Sequence, residues 1–260
     1  MNQPLWSLVG QRAFVTGGTK GIGEAIVRQF LDLGASVVIV ARDNELLQKQ
    51  LADYRAIYNR QPGQTVEGIA ADVSQPGEVV RVIKTVRAVW DTLDILVNNA
   101  GTNIRKATTD YSGADYDHIL NTNLRSAYEL SQAAYPLLKA SGNGKVIMVS
   151  SVSGLTHTSS GSLYGMTKAA MLQLTRNLAV EWAPDGIRVN AVAPSLTDTP
   201  MAQFLLGDDN KRDAANKRHP LSRYGSPQDI AGMAAYLLSD QAAWITGQII
   251  GVDGGMGSLK

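Results

Sequence analysis

The chain has 260 residues, of which 44% are hydrophobic and 18% are charged, and its formal net charge is +1 at pH 7. This length and composition are ordinary for one large α/β domain, and the near-neutral charge provides no attraction to nucleic acid or to a membrane surface. The sequence contains no cysteine, which excludes disulfides and thiolate chemistry, and its three histidines lie too far apart along the chain to indicate a metal site.

Neither the N-terminal residues nor any later segment has the features of a targeting or membrane-spanning sequence. The first residues lack the basic and apolar regions of a secretory signal, and no apolar run approaches the length needed to span a bilayer. We therefore expect a cytoplasmic protein without a membrane partner.

Short β-branched runs alternate with longer helical patterns along the whole chain. This alternation is typical of right-handed βαβ units that build a parallel sheet with helices on both faces. We predict an α/β fold with one domain over residues 1–260, a Rossmann-like doubly wound sheet of about seven strands. The predicted strands cover residues 13–16, 36–40, 66–70, 95–97, 145–149, 188–192 and 248–252, and the helical patterns begin near Gly21, Asn44, Gln75, Ser112, Ser162 and Pro227.

A glycine-rich turn, residues 16–23, follows the first predicted strand and opens the first helix. Glycine allows a positive φ and a close approach of the backbone to a ligand, and the helix N-terminus attracts a pyrophosphate. The turn lacks the Gly-Lys-Ser/Thr of a Walker loop, and its first glycine gap is wider than in G-x-G-x-x-G. It predicts a dinucleotide site with the binding candidates Gly17, Thr19, Lys20, Gly21, Ile22 and Gly23.

The end of the second predicted strand indicates which dinucleotide binds. An acid about 20 residues past the glycines would bind the ribose 2′-hydroxyl of NAD, but this strand ends in Ala41 and Arg42. Arg42 and Lys20 are both placed to contact a 2′-phosphate, each contributing about 1.5–3 kcal/mol. We therefore expect NADP(H), and we interpret the neighbouring Asp43 as the N-cap of the helix that begins at Asn44.

Tyr164 and Lys168 lie four residues apart in a predicted helix, with Ser151 upstream. Residues at i and i+4 share one helix face, and a nearby cation favours phenolate over phenol. We therefore expect Lys168 to lower the pKa of Tyr164 below its free value of about 10. Such a tyrosine can exchange a proton with an alcohol or ketone near neutral pH. By itself the pair is more typical of an amphipathic helix with an exposed lysine, and the other motifs of the chain are needed to favour catalysis.

Residues 195–224 separate the sixth predicted strand from the next helix. Connections longer than about 15 residues are usually functional. The first half of this segment is apolar and the second half is charged, which predicts a pair of short helices folded over a pocket. The alternative is a surface insertion without a function.

Taken together, these motifs resemble the short-chain dehydrogenase/reductase family over essentially the whole chain. Within that family the chain is similar to the tropinone-reductase-like members, through residues 98–106, 150–154 and 246–250. The motifs that carry the family resemblance are, in chain order, Thr16, Gly17, Gly21, Gly23, Asp72, Val73, residues 98–101, Asn123, Ser151, Tyr164, Lys168, Pro194 and Thr199.

The resemblance implies a catalytic site of four side chains. Tyr164 would protonate the carbonyl oxygen as hydride arrives, and Ser151 would donate to the same oxygen. Lys168 would lower the tyrosine pKa and hydrogen-bond the nicotinamide ribose, while Asn123 would hold a water that links Lys168 to solvent. The alternatives are that Asn123 bonds a backbone carbonyl and that Ser151 caps the end of the strand.

The resemblance also implies further cofactor contacts at the carboxyl edge of the sheet. Asp72 would accept from the adenine amino group, although an N-cap for the next helix is its alternative role, and Asn98 would tie adjacent strands together. The family usually has glycine after Pro194, where this chain has Ser195. The remaining cofactor-binding candidates are Asp72, Val73, Asn99, Ala100, Gly101, Pro194, Leu196 and Thr199, beside Tyr164 and Lys168.

The substrate pocket is expected between residues 102–105, 155–160 and the segment at 195–224. An apolar lid over a partly polar floor suits a small or cyclic ketone, and reduction of a basic alkaloid is not implied. Arg105 is either a partner for an anionic substrate or a solvated surface residue. The substrate-binding candidates are Asn103, Arg105, Ser151, His157, Met201 and Phe204.

The sequence therefore predicts an NADP(H)-dependent oxidoreductase that reversibly reduces a ketone to a secondary alcohol. An NAD-dependent alcohol dehydrogenase and an NADP(H) sensor without turnover are the alternatives. The expected partners are a small carbonyl or alcohol substrate and further copies of the chain. We expect a homotetramer, or a dimer, built on the helices near Ser112 and Ser162 and on the C-terminal strand.

Overall fold

Seven parallel strands form one sheet in the order β3-β2-β1-β4-β5-β6-β7. The structure is a computed structural model that describes residues 6–58 and 63–259, so most of the N-terminal segment inspected for a signal sequence lies outside the described residues. Each strand begins and ends within two residues of its predicted bounds. The strands are β1 (Arg12–Thr16), β2 (Ser36–Ala41), β3 (Val66–Ala70), β4 (Ile95–Asn98), β5 (Lys145–Val149), β6 (Arg188–Pro194) and β7 (Ile249–Val252).

Helices cover both faces of the sheet, which confirms the predicted fold class. One buried cluster contains side chains of α1, α2 and α9, and the other contains side chains of α3, α5 and α6. The central strands are buried on both faces, as expected for a parallel sheet. The helices are α1 (Gly21–Asp32), α2 (Asn44–Tyr58), α3 (Glu78–Val89), α4 (Gly113–Leu120), α5 (Ser126–Ser141), α6 (Ser162–Trp182), α7 (Gln203–Leu206), α8 (Asp209–Lys217) and α9 (Pro227–Leu238).

The start of α2 confirms the interpretation of Asp43 as an N-cap, and the start of α3 corrects a prediction. The Asp43 carboxylate accepts from the backbone N–H of Leu46 at 3.0 Å. Helix α3 begins at Glu78 rather than near Gln75, because Asp72 to Gln75 form a hydrogen-bonded turn first. Gly77 then takes the N-cap position with φ of 81°, so Asp72 does not cap this helix.

The long helix expected from Ser112 is interrupted by a π turn. Helix α4 begins with a capping box in which Ser112 and Asp115 exchange hydrogen bonds. The backbone over Asn121–Arg125 is then wound as a π turn before α5 continues. Such turns insert one extra residue and change which way the following side chains point. Here the π turn contains Asn123.

The segment at 195–224 contains the expected pair of short helices, α7 and α8, after a 3-10 turn at Pro200–Ala202. Helix α8 is capped by Asp208, whose side chain accepts from the backbone N–H of Lys211. Among the described residues, every helix is too short or too polar to traverse a bilayer.

The side chains of Thr16 and Asn99 join β1 to the chain that leaves β4. The Thr16 hydroxyl donates to the carbonyl of Val97 at 3.2 Å and accepts from the backbone N–H groups of Asn99 and Ala100, both at 3.0 Å. The strand order reverses between β1 and β4, so the helices that follow them lie on opposite faces. Ligands bind at such a switch point in open α/β sheets.

Replacing Thr16 with valine should lower the free energy of unfolding by about 2–4 kcal/mol, because two backbone donors would lose their acceptor. Urea unfolding of the protein without ligand measures this change. Thr16→Ser keeps the hydroxyl and should lose less than half as much. Equal losses in the two variants would contradict the role given to the hydroxyl.

Candidate active site

The glycine turn is packed so closely that two of its positions require glycine. Gly17 has φ of +65°, and a Cβ added there would lie 3.0 Å from the amide nitrogen of Asn99. A Cβ on Gly23 would overlap the carbonyl oxygen of Gly17. The Asn99 amide also donates to the carbonyls of Thr16 at 2.9 Å and Gly17 at 3.1 Å. Asn99, predicted as a cofactor contact, therefore holds the shape of the turn.

The N-terminus of α1 fits an external anion. Lys20 is in the N-cap position and makes no side-chain cap bond, so the first N–H groups of the helix have no capping side chain. A phosphate at this position would satisfy them and would also be favoured by the helix dipole. This arrangement fits the pyrophosphate of a dinucleotide.

Gln50 of α2 is a residue of this turn that sequence reasoning missed. Its side-chain amide donates to the carbonyl of Thr19 at 2.9 Å, and the residue is buried. Its signal in the sequence is a glutamine among the inward-facing positions of α2, beside Leu47, Leu51 and Tyr54.

Lys20 of the glycine turn and Arg42, directly after β2, each lie near a carboxylate. The ammonium of Lys20 is 3.8 Å from the Asp43 carboxylate, and the Arg42 guanidinium is 4.0 Å from that of Asp72. Both cationic side chains are more than half exposed, at 58% and 62%. Exposed pairs of this length contribute little, so both cations can turn toward a bound anion at small cost.

Asp72 has one carboxylate oxygen engaged by the protein and the other directed to Arg42. Its Oδ1 accepts from the backbone N–H of Ser74 at 3.0 Å and from its hydroxyl at 2.7 Å. Partial burial acts to raise the pKa of Asp72, but the two bonds from Ser74 and the charge of Arg42 outweigh it and the pKa is lowered. Asp72 is therefore held ionised as an acceptor, with buried Val73 beside it.

Asn98 ends β4, and Gly101 lies in the chain that follows it. The Asn98 amide donates to the Ser131 hydroxyl of α5 at 3.0 Å and to the Met148 sulfur of β5 at 3.4 Å, so it joins β4 to its neighbours as expected. A Cβ on Gly101 would lie 3.6 Å from the Lys168 ammonium. The small residue thus keeps the backbone close to that cation.

Asn123 is fully buried on the π turn and holds the chain after Gly101. Its Oδ1 accepts from the N–H of Thr102 at 2.7 Å, and its Nδ2 donates to the Thr102 carbonyl at 2.9 Å and to the Thr167 hydroxyl at 3.2 Å. The side chain therefore bonds a backbone carbonyl, which is the alternative role considered for it. A water held by Asn123 remains a prediction.

Ser151 and Tyr164 are brought together at the end of β5. The Ser151 hydroxyl accepts from the backbone N–H of Ser153 at 3.1 Å, which caps the 3-10 turn at Val152–Gly154. Ser151 therefore fulfils the capping role and also hydrogen-bonds the Tyr164 phenol.

The expectation that Lys168 lowers the pKa of Tyr164 is wrong. Burial raises the pKa of Tyr164, and the hydrogen bond from Ser151 and the charge of Arg105 oppose this only in part. The Lys168 ammonium lies 5.7 Å from the centre of the tyrosine ring and donates instead to the Val149 carbonyl at 2.8 Å. Desolvation of the phenol is therefore the larger effect.

Lys168 itself is strongly affected by burial. The residue is only 4% exposed, and desolvation lowers the pKa of its ammonium from 10.5 to about 8. Charged lysine at neutral pH is thus less stable here than in water, and a negatively charged or polar group placed beside it would be favoured.

The start of the segment at 195–224 contacts the glycine turn. A Cβ on Gly21 would lie 3.0 Å from the Thr199 methyl group, so Thr199 lies against the first turn of α1. The Leu196 carbonyl accepts from the N–H of Gly225 at 2.9 Å. Pro194 is buried at the end of β6, which brings these three predicted cofactor residues to the same edge of the sheet.

Ser195, which stands where the family usually has glycine, holds the far end of the segment. Its hydroxyl lies 2.8 Å from the His219 Nε2, and the His219 Nδ1 lies 2.8 Å from the Ala215 carbonyl of α8. His219 is buried. The substitution therefore adds a side-chain bond between β6 and the end of α8, and the sequence offered no spacing that would have revealed the partner.

The substrate-binding candidates lie in two parts of the structure, the loops that follow β4 and β5 and the start of the segment at 195–224. Asn103 donates to the carbonyl of Ser160 at 3.0 Å, and His157 is exposed in the same loop. Met201 and Phe204 are 43% and 49% exposed. Arg105 and Phe204 meet, with the guanidinium carbon 3.8 Å from the ring centre.

Comparisons with known proteins agree with this geometry. A family model described as enoyl-(acyl carrier protein) reductase matches residues 17–257. A tropinone reductase homologue of Arabidopsis thaliana is 46% identical over 251 residues, covering 96% of this chain and 93% of the relative.

Solved structures show the same fold. A gluconate 5-dehydrogenase of Burkholderia cenocepacia, in complex with NADP and tartrate, superposes with a TM-score of 0.91 at 30% identity over 98% of each chain. The NADP complex of RhlG from Pseudomonas aeruginosa gives a TM-score of 0.91 at 33% identity, over 99% of this chain and 100% of that one.

The lowered pKa of Lys168 makes stability depend on pH. Between about pH 8 and about 10.5 the unfolded lysine keeps a proton that the folded one has lost, so folding becomes more favourable as pH rises through this window. Relative to Lys168→Met, the protein without ligand should gain about 2–3 kcal/mol of unfolding free energy across it. Urea unfolding of both proteins at several pH values measures this, and a constant difference would contradict a desolvated lysine.

Proposed function

The chain belongs to the short-chain dehydrogenase/reductase family, and on that premise we propose that it is an NADP(H)-dependent reductase of ketones. It is an oxidoreductase that acts on CH–OH groups with NAD(P), and it is similar to tropinone reductase homologues. The arrangement that carries the proposal is the Tyr164 phenol, bonded to Ser151 beside buried Lys168 at the carboxyl edge of the sheet.

Tyr164 is suited to act as an acid. Because its pKa is raised, the phenol carries its proton at neutral pH, and a general acid must be protonated before the reaction. A carbonyl oxygen placed between Tyr164 and Ser151 would accept from both hydroxyls. As negative charge develops on that oxygen, Tyr164 transfers its proton, and the Arg105 and Lys168 charges stabilise the phenolate that remains.

The protonated state of Lys168 supports this role. With a pKa of about 8, the ammonium is still charged at neutral pH, and after the transfer it faces a negative phenolate rather than a neutral phenol. The Val149 carbonyl fixes its position. The ribose hydroxyls of the cofactor would accept hydrogen bonds from the remaining N–H groups of Lys168. A water near Asn123 would return a proton from solvent to Tyr164.

NADPH, when bound, supplies the hydride that reduces the carbonyl carbon. The residues that would hold it lie along one edge of the sheet: the glycine turn for the pyrophosphate, Lys20 and Arg42 for the 2′-phosphate, and Asp72 with Val73 for the adenine. Support for NADP(H) comes from the absence of an acid at the tip of β2 and from the NADP complexes of two structural relatives.

We propose that residues 195–224 act as a lid over the substrate within one catalytic domain. The segment is held at both ends, through Thr199 at the glycine turn and through His219 at Ser195. Its apolar first half carries Met201 and Phe204, whose exposed apolar surfaces would pack on a bound ketone.

We also propose a homotetramer, with a dimer as the alternative. Tyr128 of α5 is 50% exposed, Val180 of α6 is 77% exposed and Trp244 before β7 is fully exposed. Apolar surface of this kind is typical of an interface between subunits. Sedimentation velocity should give the mass of four chains, or of two, and a monomer at micromolar concentration would contradict the proposal.

Replacing Tyr164 with phenylalanine should lower kcat for ketone reduction by about 10²–10⁴-fold, because the hydroxyl that acts as the general acid is removed while the aromatic ring is kept. The assay follows NADPH absorbance with cyclic and bicyclic ketones, β-ketoesters and diketones. Tight NADPH binding without turnover of any carbonyl would favour a sensor over an enzyme. Activity unchanged in the variant would contradict Tyr164 as the acid.

Replacing Arg42 with aspartate should lower the ratio of kcat/KM for NADPH to that for NADH by at least about 10- to 100-fold. One charge-assisted contact to the 2′-phosphate is lost and an acceptor for the ribose 2′-hydroxyl is gained. Arg55→Asp is the matched control, because Arg55 is another exposed arginine with a carboxylate partner, Glu67. A variant that keeps its NADPH preference would exclude this phosphate site, whereas a preference of the unaltered protein for NADH would favour the NAD-dependent alternative.

A further inference from the structure

Arg105 lies on the loop after β4 and extends to the lid. Its guanidinium carbon is 3.8 Å from the centre of the Phe204 ring in α7, which is close enough for stacking. Stacking of this kind covers one face of the guanidinium and leaves the N–H groups at its edge available. Arg105 is therefore held in place without using its hydrogen-bond donors.

The described part of the chain provides no carboxylate within ion-pairing distance of Arg105. Its neighbour Lys106 differs in this respect, because its ammonium lies 2.6 Å from the Asp115 carboxylate. The two adjacent cations thus have different surroundings: Lys106 is neutralised by the protein, whereas Arg105 is not. A fixed, unneutralised guanidinium is a binding site for a planar anion.

The charge of Arg105 acts on the reacting tyrosine. Partial burial lowers the pKa of the Arg105 guanidinium, with Tyr164 the first of two tyrosines that oppose this, and the Arg105 charge in turn acts to lower the pKa of Tyr164. The guanidinium and the phenol therefore lie close enough for their charges to interact, and the Asn103 amide of the Arg105 loop donates to the Ser160 carbonyl, four residues before Tyr164, at 3.0 Å. An anion bound at Arg105 would therefore lie near a carbonyl bound at Tyr164.

From these contacts we infer that the substrate carries a carboxylate, which Arg105 binds in a bidentate manner while the ketone of the same molecule lies at Tyr164 and Ser151. The substrate class is an oxo acid, and the product is the corresponding hydroxy acid. The inference rests on the proposed reductase function for the position of the ketone. Hydride goes to the carbonyl carbon, the Tyr164 proton goes to its oxygen, and the carboxylate is unchanged.

A different role for Arg105 would give the same contact with Phe204. The arginine could serve only to fasten the lid, in which case the charge of the substrate would not matter. The two roles are separated by comparing substrates that differ in charge alone. They are also separated by removing Phe204, which destroys the stack and keeps the cation.

The experiment compares pyruvate, acetoacetate and levulinate with their methyl esters, using NADPH consumption by the full-length protein. The ratio of kcat/KM for acid to that for ester is measured for the best pair. Arg105→Gln should lower this ratio by about 10- to 100-fold, mainly through KM for the acid, because one charge-assisted bidentate contact is lost. Arg105→Lys should restore part of it.

Two further variants serve as controls. Lys106→Gln removes the same charge from the adjacent position and should leave the acid-to-ester ratio within about threefold of that of the unaltered protein. Phe204→Leu removes the stacking partner but keeps the cation, so it should lower the acid-to-ester ratio by less than Arg105→Gln does. Equal losses for acid and ester in Arg105→Gln, reproduced by Phe204→Leu, would show a lid fastening and overturn the proposal.

Calorimetric titration of the same acids into the enzyme with NADP⁺ gives a second readout. Binding of an acid that weakens at least tenfold in Arg105→Gln supports the carboxylate site even if no ketone is turned over, an outcome that would reject the reductase function alone. Turnover of neutral ketones with no measurable binding of any acid would overturn the carboxylate site and leave the reductase function standing.

Discussion

The hydroxyl of Thr16 and the amide of Asn99 join the two chains that leave the sheet at the ends of the paired strands β1 and β4. The candidate site is built around the crevice between these two chains. Parallel strands bond evenly along their length, but at a switch point the two chains that leave the sheet diverge, and their backbone donors need other partners. Thr16 accepts from two of these donors, and Asn99 bonds the carbonyls of the turn on the other side. The glycine turn and the chain at residues 99–102 are therefore fixed relative to one another before any ligand binds.

Burial decides the electrostatics of the site. Tyr164 and Lys168 are both withdrawn from water, and desolvation disfavours the charged form of each, so the pKa of the phenol is raised and that of the ammonium is lowered. The site thus favours a protonated phenol, and its lysine is still charged at neutral pH although burial has lowered the pKa of the ammonium to about 8. A developing oxyanion and the polar ribose of a cofactor would reverse this balance. The electrostatic attraction between Lys168 and Tyr164 would therefore stabilise the transition state more than the ground state.

The segment at 195–224 is attached to the rest of the protein at three places, each with different chemistry. Thr199 packs on the glycine turn, Phe204 stacks on Arg105, and His219 bonds Ser195. In the proposed enzyme, the first contact would link the lid to the cofactor-binding turn, and the second would link it to the floor of the substrate pocket. A lid attached in this way would respond to both ligands, which is the arrangement needed when water must be excluded before hydride moves.

The sequence by itself determined the features that depend on local chemistry. Runs of β-branched residues specified the strands of the parallel sheet to within two residues, the glycine spacing specified the turn before α1, and the interval from Tyr164 to Lys168 specified a shared helix face. Tertiary structure alone decided which distant partners meet: Asn123 with Thr102, Gln50 with Thr19, and Ser195 with His219. It also decided the sign of the Tyr164 pKa shift, because desolvation depends on everything packed around a group, whereas the spacing along a helix reports only one neighbour.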